Sequence, residues 1–375
     1  MRHFTYFLFE NFDPDQEAEN PANPRRILNA SADAPLSRVA DFPPRGCPSA
    51  LLREEFGGEA AERLAAAGAL REEGGRTLYD TPVFLTEDVP ALQNFFTAAA
   101  APLADRLWDI REKLWAAAGE LPTGFGPKRN LYHVLCGMIF DGFFFDWLEQ
   151  RGALAVSRPH VSGLDYLSVI YEDCPGLQKF SDRLLCSYNR LTDGETALES
   201  FGDADGNRFD LYRCFRLRES GPLPPRFREA GALLDRLPRG EERRILLEET
   251  RLLLRGKPCQ ADCLAILERF GYVGNGRIAV PVFSPEANPA IEGLAALVKE
   301  CLCGEMARTL EEARENPALT AVSHGVPPRE IANELYHILF GGINEEAVRR
   351  GLVSAPPFRR GEGRYLQCIR QESCG

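Results

Sequence analysis

Arg76-Thr-Leu-Tyr-Asp-Thr-Pro-Val-Phe84 and Arg277-Ile-Ala-Val-Pro-Val-Phe283 are the two stretches that decide how this chain is read. Each starts on Arg and ends on Pro-Val-Phe. Each is followed by Glu (Glu87, Glu286) and then by Pro-Ala (Pro90-Ala91, Pro289-Ala290). Further pairs accompany them. Leu131-Tyr-His-Val-Leu-Cys-Gly137 is answered by Leu335-Tyr-His-Ile-Leu-Phe-Gly341, Arg151-Gly152 by Arg350-Gly351, and Tyr166-Leu167 by Tyr365-Leu366. Pro82 and Pro281, Pro90 and Pro289, Gly152 and Gly351, and Tyr166 and Tyr365 all stand 199 positions apart. The Leu-Tyr-His block is displaced by 204, so insertions flank it. One chain thus carries two copies of a module, which is a built-in pseudo-dimer.

Composition is that of a folded protein: 375 residues, 44% hydrophobic and 26% charged. Each copy is long enough to bury a core without disulfides or metal. A formal net charge of −11 argues against a surface coated in basic groups for non-specific nucleic-acid binding, though not against a local basic patch. The 11 cysteines are an odd number, and most sit in apolar stretches, as Cys136, Cys186 and Cys214 do. The N-terminal apolar run is too short for a signal peptide and lacks a small-residue cleavage site. No stretch approaches about 18 apolar residues. These features predict a cytoplasmic chain with free thiols and no membrane span.

The pattern predicts a buried strand at 3–9 and helices around 24–31, 47–56 and 58–68. Gly74-Gly75 then marks a hairpin turn between short strands. The second copy follows the same order. Helices at about 223–236, 240–254 and 260–269 lead to Asn275-Gly276, a strong hairpin signal. After each ribbon the sequence becomes helical, over 89–119 and 130–152, and over 289–316 and 328–351. A closing strand follows at 164–171 and 364–370. The segment 173–222 is read as a connection with a helix near 176–191 and an alternating strand, Phe209 to Leu217, matching the strand at 3–9.

Three short helices followed by a two-stranded ribbon resemble the general winged helix-turn-helix architecture, here duplicated in tandem. The resemblance covers the helices and ribbon of each copy. It implies a recognition helix before each ribbon and a wing in the ribbon itself. The predicted fold class is mainly α with small β ribbons (α+β). The first repeat spans 1–172, with a winged-helix-like unit at 24–88, a helical part at 89–152 and a closing strand at 164–171. The second spans 223–375, with the corresponding parts at 223–287, 288–351 and 364–370.

No chemical motif stands out. Cys259, Cys263, Cys301 and Cys303 lack the spacing of a zinc knuckle. Asp203, Asp205 and Asn207 fail the calcium-loop pattern and read as a polar turn. There is no P-loop, dinucleotide fingerprint or nucleophile elbow. No catalytic residue, cofactor or metal site is therefore assigned, and an enzyme is disfavoured. Three candidate surfaces remain. Arg239, Arg243, Arg244, Arg251, Arg255, Lys257 and Arg277 in the second module could meet phosphates, with Gln260 near base edges. The alternative for these charges is a solvated, ion-paired helix face. Phe143, Phe144, Phe145 and Trp147, within the segment 141–148 where the first copy is longer, could face a protein partner or enter the core. Tyr132, His133, Tyr336 and His337, kept in both copies, could line a pocket between the repeats or be buried structural residues. The leading expectation is a DNA-binding transcriptional regulator acting on double-stranded DNA through the second module. The alternatives are an interaction scaffold and a small-molecule sensor or enzyme.

Overall fold

The computed structural model describes residues 1–12, 17, 20–181, 187–202, 209–220, 222–355 and 365–372. It is mainly helical, with several small sheets. The chain opens with strand β1 (Phe4–Glu10), then α1 (Pro24–Ile27), α2 (Asp33–Ala40), β2 (Cys47–Pro48), α3 (Ser49–Phe56) and α4 (Gly58–Ala66). The hairpin β3 (Leu70–Glu73) and β4 (Arg76–Tyr79) leads to β5 (Val83–Phe84), α5 (Val89–Asp109) and α6 (Arg111–Gly119). Next, α7 (Pro127–Tyr132) continues through a π-helical stretch, His133–Phe143, into α8 (Phe144–Gln150). There follow β6 (Arg158–Pro159), β7 (Asp165–Glu172), α9 (Pro175–Ser181), β8 (Ser187–Thr192), β9 (Thr196–Gly202) and α10 (Leu211–Ser220). The second half adds α11 (Arg228–Leu234), α12 (Glu242–Leu254), α13 (Ala261–Arg269), β10 (Val273–Gly274), β11 (Arg277–Ile278) and β12 (Val282–Phe283). It ends with α14 (Asn288–Ala313), α15 (Thr320–Ser323), α16 (Pro328–Arg349) and β13 (Tyr365–Gln371).

These elements form two compact units, and each draws on both halves of the sequence. Unit one comprises Met1–Asp105, Phe144–Ser181 and Leu302–Ile343. Unit two comprises Arg106–Phe143, Asp182–Cys301 and Asn344–Gly375. Sequence order suggests that each ribbon is backed by the helices that follow it. In the structure the helical segments are exchanged: Leu302–Ile343 completes unit one and Arg106–Phe143 completes unit two.

In unit one, β7 is the middle strand of a sheet ordered β1-β7-β5, antiparallel to β1 and parallel to β5. The Pro-Val-Phe segment supplies the parallel edge, with Val83 opposite Ile170 and Ile170 N donating to Pro82 O at 2.9 Å. Proline fits there because it lies where the ladder asks only for its carbonyl. A second sheet, β2-β4-β3, holds the first hairpin, whose turn residues Gly74 and Gly75 have φ of 58° and 75°. Two successive positive φ values make the turn that matches strand twist, and glycine adopts them without steric cost.

Polar anchors hold the second-half segment in unit one. The carboxylate of Asp88, fully buried, accepts hydrogen bonds from Leu85 N (2.7 Å), Thr320 N (2.7 Å) and Thr320 Oγ1 (3.0 Å). Burial nonetheless pushes its carboxyl up to about 6, against the opposing pull of these three donors. Tyr79 N donates to His324 Nδ1 at 3.1 Å, and Ala155 N to Arg329 O at 2.9 Å.

Unit two repeats the central pattern. Its sheet is ordered β12-β13-β9-β8, with Val282 opposite Ile369 and Ile369 N donating to Pro281 O at 3.0 Å. Helical segments from the two halves meet here as well. Trp115 Nε1 donates to Leu352 O at 2.8 Å, and Ser354 N to Lys128 O at 3.0 Å. The ring of Phe209 stacks on Phe227 and Phe270 at 4.8 and 4.9 Å in the core beneath α11 and α13.

The connecting segment departs from its sequence reading in two places. Residues 209–217 are expected as a strand, but Leu211–Ser220 is helical. Buried Asp210 caps it, its Oδ1 accepting from Arg213 N at 2.7 Å. Leu211, Cys214 and Phe215 are buried at helical spacing, which outweighs the apparent alternation. The helix expected at 176–191 is confined to α9, and Ser187–Thr192 is a strand hairpinned to β9. Its turn is Asp193-Gly194, where Asp193 Oδ1 accepts from Glu195 N and Thr196 N at 3.1 Å each and Gly194 has φ 87°. Thus β9, rather than residues 209–217, occupies the place that β1 holds in unit one. Cys186, Asp203, Asp205 and Asn207 lie outside the described residues.

Among the described residues, one helical run, Pro127–Gln150, is long and apolar enough to cross a bilayer, and 67% of its most apolar window is buried. Helix α16 approaches α5 closely in unit one. A Cβ built on Gly342 would stand 2.7 Å from Ala100 Cβ and 2.8 Å from the Phe96 ring. Gly342→Ala is expected to destabilise the chain by about 1–3 kcal/mol through this overpacking, read as a lower urea midpoint with an unchanged slope.

Candidate functional site

The most distinctive site lies in unit two, between the π-helical stretch and the sheet. Strand β9 contributes Glu199 and Phe201, and β13 contributes Cys368 and Leu366 directly opposite them. Residues two apart on a strand share a face, so all four side chains point the same way. His133, Gly137 and Met138 of the π-helical stretch complete a pocket with room for about one water molecule.

Glu199 is 1% exposed. Its Oε2 accepts from Cys368 Sγ at 3.3 Å, and its Oε1 stands 3.5 Å from Arg190 Nε. Tyr272 OH donates to the Glu199 carbonyl at 3.1 Å. The Cys368 thiol is driven well above its ordinary range by burial and then by the neighbouring Glu199 charge. His133 is buried, and burial followed by the Arg129 charge holds it neutral. Its Nε2 has no hydrogen-bond partner among the described residues. A neutral imidazole, a protonated thiol and the Glu199 carboxyl group can hydrogen-bond a water-sized guest. They do not make a thiolate nucleophile, which needs the opposite pKa shift.

The equivalent place in unit one is built differently. There Phe7 is opposite Val169 and Phe9 opposite Leu167. Phe7 and Val169 therefore stand where unit two has Glu199 and Cys368. His337, the counterpart of His133, stacks on Phe9 at 4.9 Å, and its Nδ1 donates to Asn333 O at 2.9 Å. Burial holds its pKa down at about 4. Sequence reading selected His133 but missed Glu199 and Cys368. The available signal was two polar residues aligned with an apolar pair, visible only once β9 is recognised as a strand.

The other expected site residues are placed as follows. Tyr132 and His133 are buried in unit two, Tyr336 and His337 in unit one. Phe144 is fully buried and packs on Trp147 at 5.2 Å, while Phe145 packs on Tyr336 and His337 at 4.8 and 5.0 Å. Phe143 is half-buried. In the second module Arg244 pairs with Glu241 and with Glu248 (2.6 Å), and Arg251 with Asp193 (2.5 Å). Arg243 lies 5.2 Å over the Phe215 ring. Arg239, Arg255, Lys257 and Arg277 are exposed. Gln260 is exposed too, and its N–H donates to Glu249 Oε2 at 2.7 Å. Among the described residues no three His, Cys, Asp or Glu side chains are placed to hold a metal ion. Cys263 is fully buried, and burial with the Glu249 charge pushes the Cys259 thiol up to about 12.

No known protein family, characterised protein or solved structure matches the chain.

Burial and a raised pKa protect Cys368, whereas Cys174 is half-exposed. Alkylation of the native chain near neutral pH, followed by peptide mass spectrometry, is expected to modify Cys174 well before Cys368. Equal rates at the two positions contradict the closed, proton-bearing site.

Proposed function

We propose that the chain is a cytoplasmic, non-catalytic interaction protein built from two winged-helix modules, and that its partner is a protein rather than duplex DNA. The order α2-β2-α3-α4-β3-β4 with a β2-β4-β3 sheet supports the winged-helix reading of the first module. The run α11-α12-α13-β10-β11, turned by Asn275 (φ 53°) and Gly276 (φ 72°), supports that of the second.

The observation that carries the choice of partner is the charge on the helix before each hairpin. A helix entering the major groove passes between phosphates and reads base edges largely with donors. At that place α4 exposes Glu59 and Glu62 against a single exposed cation, Arg63. Helix α13 exposes Glu268, and Asp262 there is paired with Arg236 at 3.1 Å. Arg269 on the same helix is engaged by Glu229 at 3.3 Å. Such faces repel a polyanion and complement a partner with basic side chains. The DNA reading keeps one specific support: Arg239, Arg255, Lys257 and Arg277 carry no ion pair among the described residues.

The two readings separate in one comparison. The full chain is expected to leave the anisotropy of a labelled duplex unchanged at low salt, and to retain a stoichiometric protein partner through gel filtration when isolated from its own cells. Salt-steep duplex binding whose log–log slope falls by about 3 in Arg255→Ala/Lys257→Ala/Arg277→Ala establishes the DNA reading instead.

A further inference from the structure

Helix α16 buries a polar stripe in unit one. Glu330, Asn333, Glu334 and His337, at helical spacing along one face, are 5%, 0%, 6% and 2% exposed. Three of them have polar partners, although Glu330 Oε2 and Asn333 Oδ1 have none among the described residues. Glu330 meets Arg158 Nη1 at 3.3 Å, and that guanidinium also binds Asp80 Oδ2 at 2.8 Å. Asn333 Nδ2 donates to Ala155 O at 2.8 Å. His337 donates to Asn333 O and lies among Phe9, Phe145 and Phe340.

Glu334 is different. Among the described residues its carboxyl accepts one hydrogen bond, from Tyr171 OH of β7 at 2.7 Å. The nearest ionisable nitrogen among the described residues is His337 Nδ1, 3.8 Å away, and burial keeps that ring neutral. Among the described residues no Lys or Arg pairs with it: Phe9 and Phe145 surround the His337 ring, and Arg158 of β6 is committed to Glu330 and Asp80. A buried carboxylate with one neutral donor and no counter-charge is costly, while the protonated acid is not.

We propose that Glu334 is a protonation-controlled latch: with its proton it holds α16 against the β1-β7-β5 sheet of unit one, and on losing the proton it loosens that packing. The direction follows from linkage. Burial raises the Glu334 carboxyl to about 7, above its usual value of 4.5, so the stability it contributes is complete at acid pH and is lost as pH rises through about 7. Other groups add their own slopes. Glu330, also raised to about 7, acts in the same direction as Glu334, while His337 and His324, both lowered to about 4, favour folding as pH rises through their unfolded range. The latch is therefore read as a difference between variants at each pH.

The test compares the full chain with Glu334→Gln, which keeps an acceptor for Tyr171 but cannot ionise. Melting temperatures are measured at about pH 5 and about pH 8.5, with hydrogen exchange over 328–343 corrected for the intrinsic pH dependence. The two proteins are expected to match at the lower pH. At the higher pH the variant is expected to melt several degrees above the parent and to show at least tenfold greater protection in α16. Tyr171→Phe, which removes the one donor found among the described residues, should widen the parent's alkaline loss. A constant offset between parent and Glu334→Gln at both pH values, or equal α16 protection at the higher pH, overturns the proposal.

Discussion

The parallel pairing of a two-residue strand with the closing strand of its copy is the constraint on which this architecture rests. Pro82 O and Pro281 O accept from Ile170 N and Ile369 N, residues that are themselves 199 positions apart. A one-residue slip in either pairing would turn every side chain of the central strand to the opposite face. In unit one that strand is buried on both faces from Tyr166 to Tyr171, so such a slip would exchange the residues packed on each side. The same pairing fixes where the chain leaves the hairpin and enters α5 or α14. Conserving Pro-Val-Phe thus conserves the junction between ribbon and helices in both units.

On this shared frame the copies diverge in the helix that carries the Leu-Tyr-His block. From Leu335 to Gly351 the second copy runs as a nearly complete α-helix, whereas Leu131 to Gly152 is five residues longer and contains the π-helical stretch. Widening the turn to an i→i+5 pattern accommodates extra residues inside a continuous helix, and such stretches recur at functional sites. Here the widened helix bears His133, Gly137 and Met138 over the polar Glu199–Cys368 pair. The regular helix bears Glu330, Glu334 and His337 over a largely apolar sheet whose polar tip is Tyr171 OH. Unit two thus places its charge on the sheet, and unit one places it on the helix.

Much of this was legible in the sequence because the relevant signals are local. Gly74-Gly75 and Asn275-Gly276 need positive φ, Gly152 and Gly351 follow helix ends, and the apolar spacing of 89–119 and 328–351 is helical. The errors arose where local signals compete. Phe209 to Leu217 alternates like a strand, and the cap from Asp210 together with the helical spacing of buried Leu211, Cys214 and Phe215 decides for a helix. The exchange of helical segments left no local trace, since the apolar face of α16 or α7 reads the same whichever sheet it covers. The Glu199–Cys368 pair depended on a strand pairing, Thr196–Gly202 with Tyr365–Gln371, that spans most of the second half of the chain.

What assigns each exchanged segment to its unit is therefore polar satisfaction rather than hydrophobicity. The two duplicated sheets differ in the polar groups they present, and those groups discriminate between two duplicated helices. Thr320 N and Oγ1 find their acceptor in Asp88. The residue 199 positions further on is Ala287, whose side chain accepts nothing. Packing Thr320 at the junction of its own copy would leave buried donors without a partner, a larger penalty than most single contacts repay. Tyr79 N and His324 Nδ1, and Tyr171 OH and Glu334, likewise join residues of different halves within unit one. Buried hydrogen bonds of modest net worth can decide between two packings of nearly equal hydrophobic gain, because the wrong arrangement loses the full desolvation cost of each group.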